Sequence, residues 1–509
     1  MKRFLCLTIP VLILCIVCQI TAMSLEQFVK EQYNNESISS DSLYTVFKNY
    51  TDFEQPEELA ILIKDYHTIN DTLQAPFVYY LPSGYRADKK TPLLIYLHGG
   101  VSRPEFIEDY YDNLHHSPFL KIANEKNWIL LFPMANIQTA WWSEKGIENI
   151  MYQIRFLKER FNVDDNRIYL SGFSDGASGS FHLGMTTPND FAAFYPLNGN
   201  MLVGTIVTGY PTYTTNLRNR YHRVINTDLD FLYPADKMRL LIKTAQDMGA
   251  NIFYLEYWGI GHTYDYAEYD LPLMIEDMEK QVRNIFQPSL YWETTDPRWG
   301  RCDWLEILEI DTLSAAQDWH CHNTVLLPDD RVTFGFYDDN DFTGYGVRIS
   351  NIVDNSVSEE IGLISGDVII SMDGIETETI NDLLNIRNDK KRGDEFHLTI
   401  IRDQEEIILE GAFPPVTYHE HFNYQQKSGA LKALYRGNVF HIESSRVAKL
   451  AVYIHPGMVN LDIPIRIFVN EREIFNDFIE IDREFMTVNF LNNKDRSVLW
   501  IKKLVLKIP

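Results

Sequence analysis

Arg167-Ile168-Tyr169-Leu170-Ser171-Gly172-Phe173-Ser174-Asp175-Gly176-Ala177-Ser178-Gly179-Ser180-Phe181-His182-Leu183-Gly184 is the stretch from which the fold is read. Its first five residues are short and β-prone, and the run from Ala177 is rich in small residues and able to open a helix. The pentapeptide from Gly172 to Gly176 therefore sits where a strand turns tightly into a helix. In a G-x-S-x-G elbow the serine occupies a strained turn. A glycine two residues to either side is needed where a Cβ would strike the neighbouring strand or helix. The consequence is an exposed, aimed Ser174 Oγ.

Working outward, residues 77–286 alternate short apolar runs with amphipathic stretches. LLIYLHGG from Leu93, WILLFPMA from Trp128, RIYLSGFS from Arg167, AAFYPLNG from Ala192, YHRVIN from Tyr221 and NIFYLEYWG from Asn251 read as strands covered on both faces. Between them, Ile147, Ile150, Ile154, Leu157 and Phe161 recur at helical spacing, and a second helix is predicted from Pro234-Ala235-Asp236 to a stop at Gly249. Such alternation predicts an α/β domain with a mostly parallel sheet.

A serine hydroxyl needs a base to take its proton, and that base needs an acid to fix its tautomer and stabilise the imidazolium. In this fold class the order along the chain is Ser, then Asp or Glu, then His. His262, in Gly259-Ile260-Gly261-His262-Thr263 just past a predicted strand, is the expected base. Asp230, four residues before Pro234, is the expected acid, with Asp228 in reserve; a turn aspartate is the bland alternative for either. The oxyanion donors are expected from the N–H of Asp175 and from Gly100 or Val101 in His98-Gly99-Gly100-Val101. His98 precedes the serine and reads as structural. Trp141-Trp142, before a helix, reads as packing.

HGG after its strand, RIYLSGFSDG, FAAFYPLNGN, and DFLYP followed by GIGHTYD resemble secreted α/β-hydrolase esterases related to feruloyl esterases, polyhydroxybutyrate depolymerases and prolyl-oligopeptidase-like hydrolases. The resemblance covers about residues 77–286. It implies the fold and the triad and does not fix the substrate. The chain departs from it at Asn226-Thr227, where many relatives carry glycines before the acid.

After residue 286 the pattern becomes β. Ile463, Ile465, Ile467 and Val469 alternate with Pro464, Arg466 and Phe468, and VAKLAVYIH and SVLWIKKLVLKI flank them, so a sandwich of antiparallel strands is expected. Residues 335–413 resemble a PDZ domain of the kind attached to bacterial envelope proteases. Tyr345-Gly346-Val347-Arg348-Ile349 resembles its carboxylate-binding loop and strand, Gly366-Asp367-Val368-Ile369 and Asp373-Gly374 its signatures, and Ile380, Leu383, Leu384 and Ile386 its helix. The resemblance implies that Tyr345, Gly346 and Val347 receive a peptide C-terminus. The expected organisation is a signal peptide at 1–22, a helical segment at 23–76, the hydrolase at 77–286, and a β domain in two parts, 287–334 and 414–509, with the PDZ domain inserted at 335–413.

Met1 to Ala22 opens with Lys2 and Arg3, continues as an apolar run and ends at small residues, as a cleaved secretory signal does. A secreted or periplasmic protein without stable membrane insertion is expected. Cys6, Cys15 and Cys18 leave with that segment, and the remaining even pair, Cys302 and Cys321, is expected to form a disulfide. The formal net charge of −25 becomes −27 without Lys2 and Arg3, which argues against nucleic-acid partners. Sequons at Asn35, Asn49 and Asn70 matter only where the host glycosylates. Asp318-Trp319-His320-Cys321-His322 invites a metal reading, with both histidines pointing the same way from a strand. No further ligand of suitable spacing accompanies them, so neither a metal nor any cofactor is expected. The function expected is serine esterase chemistry on a small ester, with a PDZ module for peptide or protein recognition. The rivals are a serine peptidase and a non-catalytic binding protein.

Overall fold

The computed structural model describes residues 24–107, 109–339 and 341–508, so the apolar leader lies outside the described residues. The chain forms two compact units, one built from residues up to 323 and from 424 onward, the other spanning Thr324–Asn423.

The first unit holds an eight-stranded sheet: β1 (Leu62–Asn70), β2 (Leu73–Tyr80), β3 (Thr91–Leu97), β4 (Ile129–Pro133), β5 (Val163–Phe173), β6 (Ala193–Leu197), β7 (Tyr221–Thr227) and β8 (Ile252–Tyr257). Their order is β1-β2-β4-β3-β5-β6-β7-β8. The β1–β2 and β2–β4 pairs are antiparallel, and every pair from β4 to β8 is parallel. Parallel strands are joined by crossover helices that cover the sheet, so β3, β4 and β6 are almost wholly apolar and buried. The helix Glu144–Arg160 is capped by Ser143, whose Oγ accepts the Gly146 N–H, and it buries Ile147, Ile150, Ile154 and Leu157. The helix Ala235–Asp247 ends just before Gly249, whose φ of +89° suits a residue without Cβ.

The expected boundaries need correction: residues 324–334 and 414–423, expected in the β domain, belong to the second unit. Residues 62–76, expected within a helical segment, form β1 and the start of β2. Along β1 burial alternates residue by residue, and a turn at Asn70-Asp71-Thr72 returns the chain. Among the described residues of that segment only Leu25–Asn34 and Ser40–Lys48 are helical.

Two more sheets share one core in the same unit. A five-stranded sheet comprises Ser289–Thr294, Gly429–Arg436, Val439–Ser445, Ile465–Val469 and Arg472–Asp477. A four-stranded sheet comprises Arg301–Cys302, Leu305–Ile310, Val447–Ile454 and Lys502–Lys507. Trp292, Leu431, Phe440 and Ile465 of one meet Leu305, Ile307, Leu450 and Val452 of the other. All pairs are antiparallel except Val439–Ser445 with Ile465–Val469, which is parallel. The N-terminal helices add Leu25, Val29, Leu43 and Phe47 to this core.

The expected disulfide is not formed: Cys302 and Cys321 are both free thiols. Cys302 is buried in the sandwich core. Cys321 lies between His320 and His322, and both of these reach Glu293 Oε1. The segment is irregular rather than the strand expected there, and Cys321, between two histidines that face Glu293, is exposed.

The second unit carries a five-stranded sheet of Phe336–Asp338, Val347–Ile352, Val368–Met372, Glu395–Arg402 and Glu405–Ala412 in that order, with Ile375–Glu376 paired to its middle strand. The helix Ile380–Asn388 is started by a capping box between Thr379 and Asp382. Phe334, Phe396 and Phe413 gather at the centre of its core with Leu363, Ile369 and Leu398.

Candidate active site

β5 ends at Phe173, and the helix Asp175–Thr186 begins immediately after Ser174. Ser174 itself has φ +58° and ψ −119°, a conformation that is strained for a residue with a side chain. The flanking glycines are required sterically. A Cβ on Gly176 would lie 2.0 Å from the Leu97 carbonyl oxygen, and one on Gly172 would lie 2.5 Å from the backbone of Gly176. Gly99 faces Ser174 directly, since a Cβ on it would fall 2.9 Å from Ser174 Cβ.

The loop after β8 carries His262 over this elbow. His262 Nε2 lies 2.9 Å from Ser174 Oγ, and Nδ1 lies 2.8 Å from Asp230 Oδ2. An ionised carboxylate only accepts, so Nδ1 carries the proton and Nε2 is left to accept from the serine hydroxyl. Asp230 is buried. Burial alone would raise its pKa, but hydrogen bonds from His262, Asn198 and the Tyr233 N–H outweigh it and hold the carboxyl below the usual range. Its Oδ1 accepts the N–H groups of Leu232 (2.9 Å) and Tyr233 (2.8 Å), which fixes the carboxylate from behind.

Asp228 holds a different post. Its Oδ1 accepts the N–H of Gly259 at 2.7 Å and of Ile260 at 3.4 Å, so it braces the loop that carries His262. The structure thus brings Ser174, His262 and Asp230 into one hydrogen-bonded line and leaves Asp228 beside it.

Sequence reasoning missed Asn198. It follows β6, has φ +52°, and donates through Nδ2 to Asp230 Oδ2 (3.0 Å) and Thr227 Oγ1 (2.6 Å), while Tyr266 Oη–H donates to its Oδ1. Its position at the carboxyl end of a central parallel strand, where open α/β sheets build their sites, was the available signal.

Val101 does not offer the expected oxyanion donor, because its N–H donates to Asp175 Oδ2 at 2.9 Å. The carboxylate of Asp175 reaches across to the loop and takes up that group. The Asp175 N–H, at the first position of its helix, has no carbonyl partner one turn back within that helix. Gly100 stands beside it in the loop with φ +68°. His98 accepts the Ala135 N–H at Nε2 (3.0 Å) and so donates from Nδ1 to Gly99 O (2.7 Å). Burial pushes its pKa down to about 4, so it stays neutral and fastens the loop. Trp141 Nε1 donates to the His98 carbonyl, and both Trp141 and Trp142 are buried. Around His262 stand the rings of Phe173, Phe231 and Tyr233; Phe231 is largely exposed, as is Trp258.

In the second unit the expected peptide loop is only partly presented. Tyr345 is half exposed and donates to Glu376 Oε2 (3.2 Å). The Gly346 N–H does not face outward: at φ +95° it donates to Glu378 O (3.1 Å). Val347 is buried and pairs with Ile369. Glu376, Glu378 and Asp382 make the surroundings of Tyr345 acidic and help raise its phenol, after desolvation and the Glu376 hydrogen bond.

A family model described as a PDZ domain matches residues 332–410. Those residues are a PDZ domain. Over 210 residues, 36% of this chain, the sequence is 24% identical to the "Bifunctional acetylxylan esterase/xylanase XynS20E" of Neocallimastix patriciarum, and it spans 30% of that relative's length. Among solved structures the chain is similar to a thermostable esterase, with 21% identity and a TM-score of 0.36, covering 44% of this chain and 63% of the other. It is also similar to S-formylglutathione hydrolase (FrmB) from Staphylococcus aureus, with 16% identity and a TM-score of 0.35, covering 44% and 99%. The strand order and the serine elbow give the first unit an α/β-hydrolase fold, to which the β-sandwich is appended. Among the described residues no helix is long and apolar enough to cross a membrane.

Proposed function

We propose that this protein is an exported serine hydrolase that cleaves carboxylic esters through an acyl-enzyme. The observation that carries the reading is the hydrogen-bonded line from Ser174 through His262 to Asp230, set on a strained elbow. Ser174 Oγ attacks the ester carbonyl as His262 Nε2 takes its proton, and Asp230 stabilises the imidazolium. The developing oxyanion is received by the N–H groups of Asp175 and Gly100, each such donor contributing about 3–4 kcal/mol. Collapse breaks the ester C–O bond, and the leaving alcohol takes the proton from Nε2. Water then repeats the sequence on the acyl-serine, releasing the carboxylic acid and free Ser174.

The acetylxylan esterase name of the relative, together with the exposed Phe231 and Trp258 on the loops after β7 and β8, supports a short acyl group on a bulky alcohol such as a carbohydrate. The N-terminal apolar leader supports export. The PDZ domain is assigned to peptide or protein recognition, the general use of such modules.

The test compares p-nitrophenyl acetate and longer acyl esters with chromogenic peptides, alongside fluorophosphonate labelling of the wild type and of Ser174→Ala. Turnover of short esters with labelling lost in the variant is expected. Peptide turnover without ester turnover would make the protein a peptidase. Absence of both turnover and labelling would leave a binding protein.

A further inference from the structure

Glu293, His320 and His322 come from places distant in sequence yet converge on one point. Glu293 lies on the strand Ser289–Thr294, and its side chain is fully buried. His320 and His322 come from the irregular segment that follows Leu305–Ile310, with side-chain exposures of 1% and 26%. Both Nε2 atoms lie 2.8 Å from the same carboxylate oxygen, Glu293 Oε1, and the three ligand-type atoms all lie within 4.8 Å of one another.

The surroundings orient these groups as a metal site requires. Glu293 Oε2 is held from behind by Thr215 Oγ1 and Tyr291 Oη, each at 3.3 Å, which leaves Oε1 aimed at the imidazoles. Ser428 Oγ donates to that same Oε1 at 2.6 Å and sits 3.2 Å from His320 Nε2, so a fourth oxygen is at hand. His320 Nδ1 lies 2.8 Å from Ser445 Oγ, which also accepts the Gln317 N–H. A hydroxyl oxygen has two lone pairs, so Ser445 can accept from Nδ1–H as well, which supports the tautomer needed once Nε2, in this structure the donor to Glu293 Oε1, releases its proton to an incoming ion. Such a hydroxyl partner on the far ring nitrogen is the outer-shell support that ligating histidines normally have.

We propose that Glu293, His320 and His322 bind one divalent transition-metal ion of the zinc type, with Ser428 Oγ or a water completing four-coordination. Two imidazole nitrogens and one carboxylate oxygen are a donor set that zinc accepts, at about 2.0–2.2 Å from the ion. Tetrahedral ligands at that distance stand about 3.4 Å apart, so each imidazole has to withdraw by about 0.6 Å from its present contact. The partial exposure of His322 provides access. The ion would join the strand Ser289–Thr294 to the segment before residue 323 and to the start of Gly429–Arg436. It shares no residue with the Ser174 line. The sequence expectation of no metal rested on the want of a third ligand, and Glu293, 27 residues upstream of His320, supplies it.

The test uses the full chain without an affinity tag, stripped with a chelator, reloaded with zinc chloride and desalted. Mass-spectrometric metal analysis should find one zinc per chain, and calorimetric titration should give micromolar or tighter binding. Ser445→Ala should weaken it by roughly 10–100-fold, the usual cost of losing a supporting partner, and His322→Gln and Glu293→Gln by more. Because Glu293 is buried and its variant can fail to fold, X-ray absorption of the zinc-loaded wild type gives a second measurement. It should show only nitrogen and oxygen neighbours, with outer scattering from two imidazoles. Failure of the wild type to retain zinc, unchanged binding in His322→Gln, or a sulfur neighbour at about 2.3 Å from Cys321 would each overturn the proposal.

Discussion

Asp230→Asn is the most searching perturbation of the active-site reading. The carboxylate has four partners: Oδ1 accepts the N–H groups of Leu232 and Tyr233, while Oδ2 faces His262 Nδ1 and Asn198 Nδ2. In the asparagine variant the carbonyl must stay where the two backbone donors are, which puts its NH2 group toward His262. The imidazole can accept that group only by moving its proton to Nε2. It then donates to Ser174 instead of accepting from it. A wrong tautomer in an otherwise intact site costs about 10⁴-fold in kcat, or about 5 kcal/mol of transition-state stabilisation. The new NH2 also meets Asn198 Nδ2, which cannot turn away without losing the Tyr266 hydrogen bond to its Oδ1. A stability loss of about 1–3 kcal/mol is therefore expected as well. Asp228→Asn keeps an oxygen for the Gly259 and Ile260 N–H groups, so its kcat should fall less than tenfold. Steady-state kinetics on p-nitrophenyl acetate, with melting curves for both variants, provide the assay. A loss under about 100-fold in Asp230→Asn, or a larger loss in Asp228→Asn, would refute the assignment of the acid.

Three further outcomes are expected. Burial holds His98, His182 and His455 at about 4 and His222 at about 3. The unfolded chain takes up these protons below about pH 6.5 and the folded chain does not, so stability is full above that pH and is lost as pH falls toward 4. Each group costs about 1.4 kcal/mol at pH 5.5; urea midpoints that stay flat between pH 7 and 5 would contradict this. In protein lacking residues 1–22, a thiol reagent should modify Cys321 rapidly and Cys302 only after denaturation; a protein with no reactive thiol before reduction would restore the bridge. Because the Gly346 N–H is engaged and Glu376, Glu378 and Asp382 surround Tyr345, amidating the C-terminus of a bound peptide should not weaken its binding to the PDZ domain. A tenfold loss on amidation, read by fluorescence polarisation, would show that the loop does capture carboxylates.

What the sequence made legible was local. The elbow could be read because its chemistry lies within five consecutive residues, and the steric need for Gly172 and Gly176 follows from the turn they flank. β3 to β8 were legible because strands covered on both faces must be continuous apolar runs. β1 was not, since its inward residues alternate with polar ones and a hydrophilic strand at a sheet edge resembles an exposed helix in composition. The choice between Asp228 and Asp230 stayed open because both follow β7 within three residues, and only the position of the loop after β8 decides which one meets the imidazole.

What escaped was set by partners far away in the chain. The sequence offers Val101 as an oxyanion donor, but the Asp175 side chain, 74 residues on, takes its N–H. The cysteines counted as an even pair, yet compartment and parity say nothing about which way a side chain points. His320 and His322 are both drawn to Glu293, and the residue between them is exposed. The same geometry thus removes a bridge and assembles a donor set. Two histidines one residue apart carry little information by themselves. A buried carboxylate, held from behind by Thr215 and Tyr291, gives their spacing a chemical use. In this chain a short motif acquires a partner only when the fold supplies its third member, as Asp230 does for His262 and Glu293 for His320.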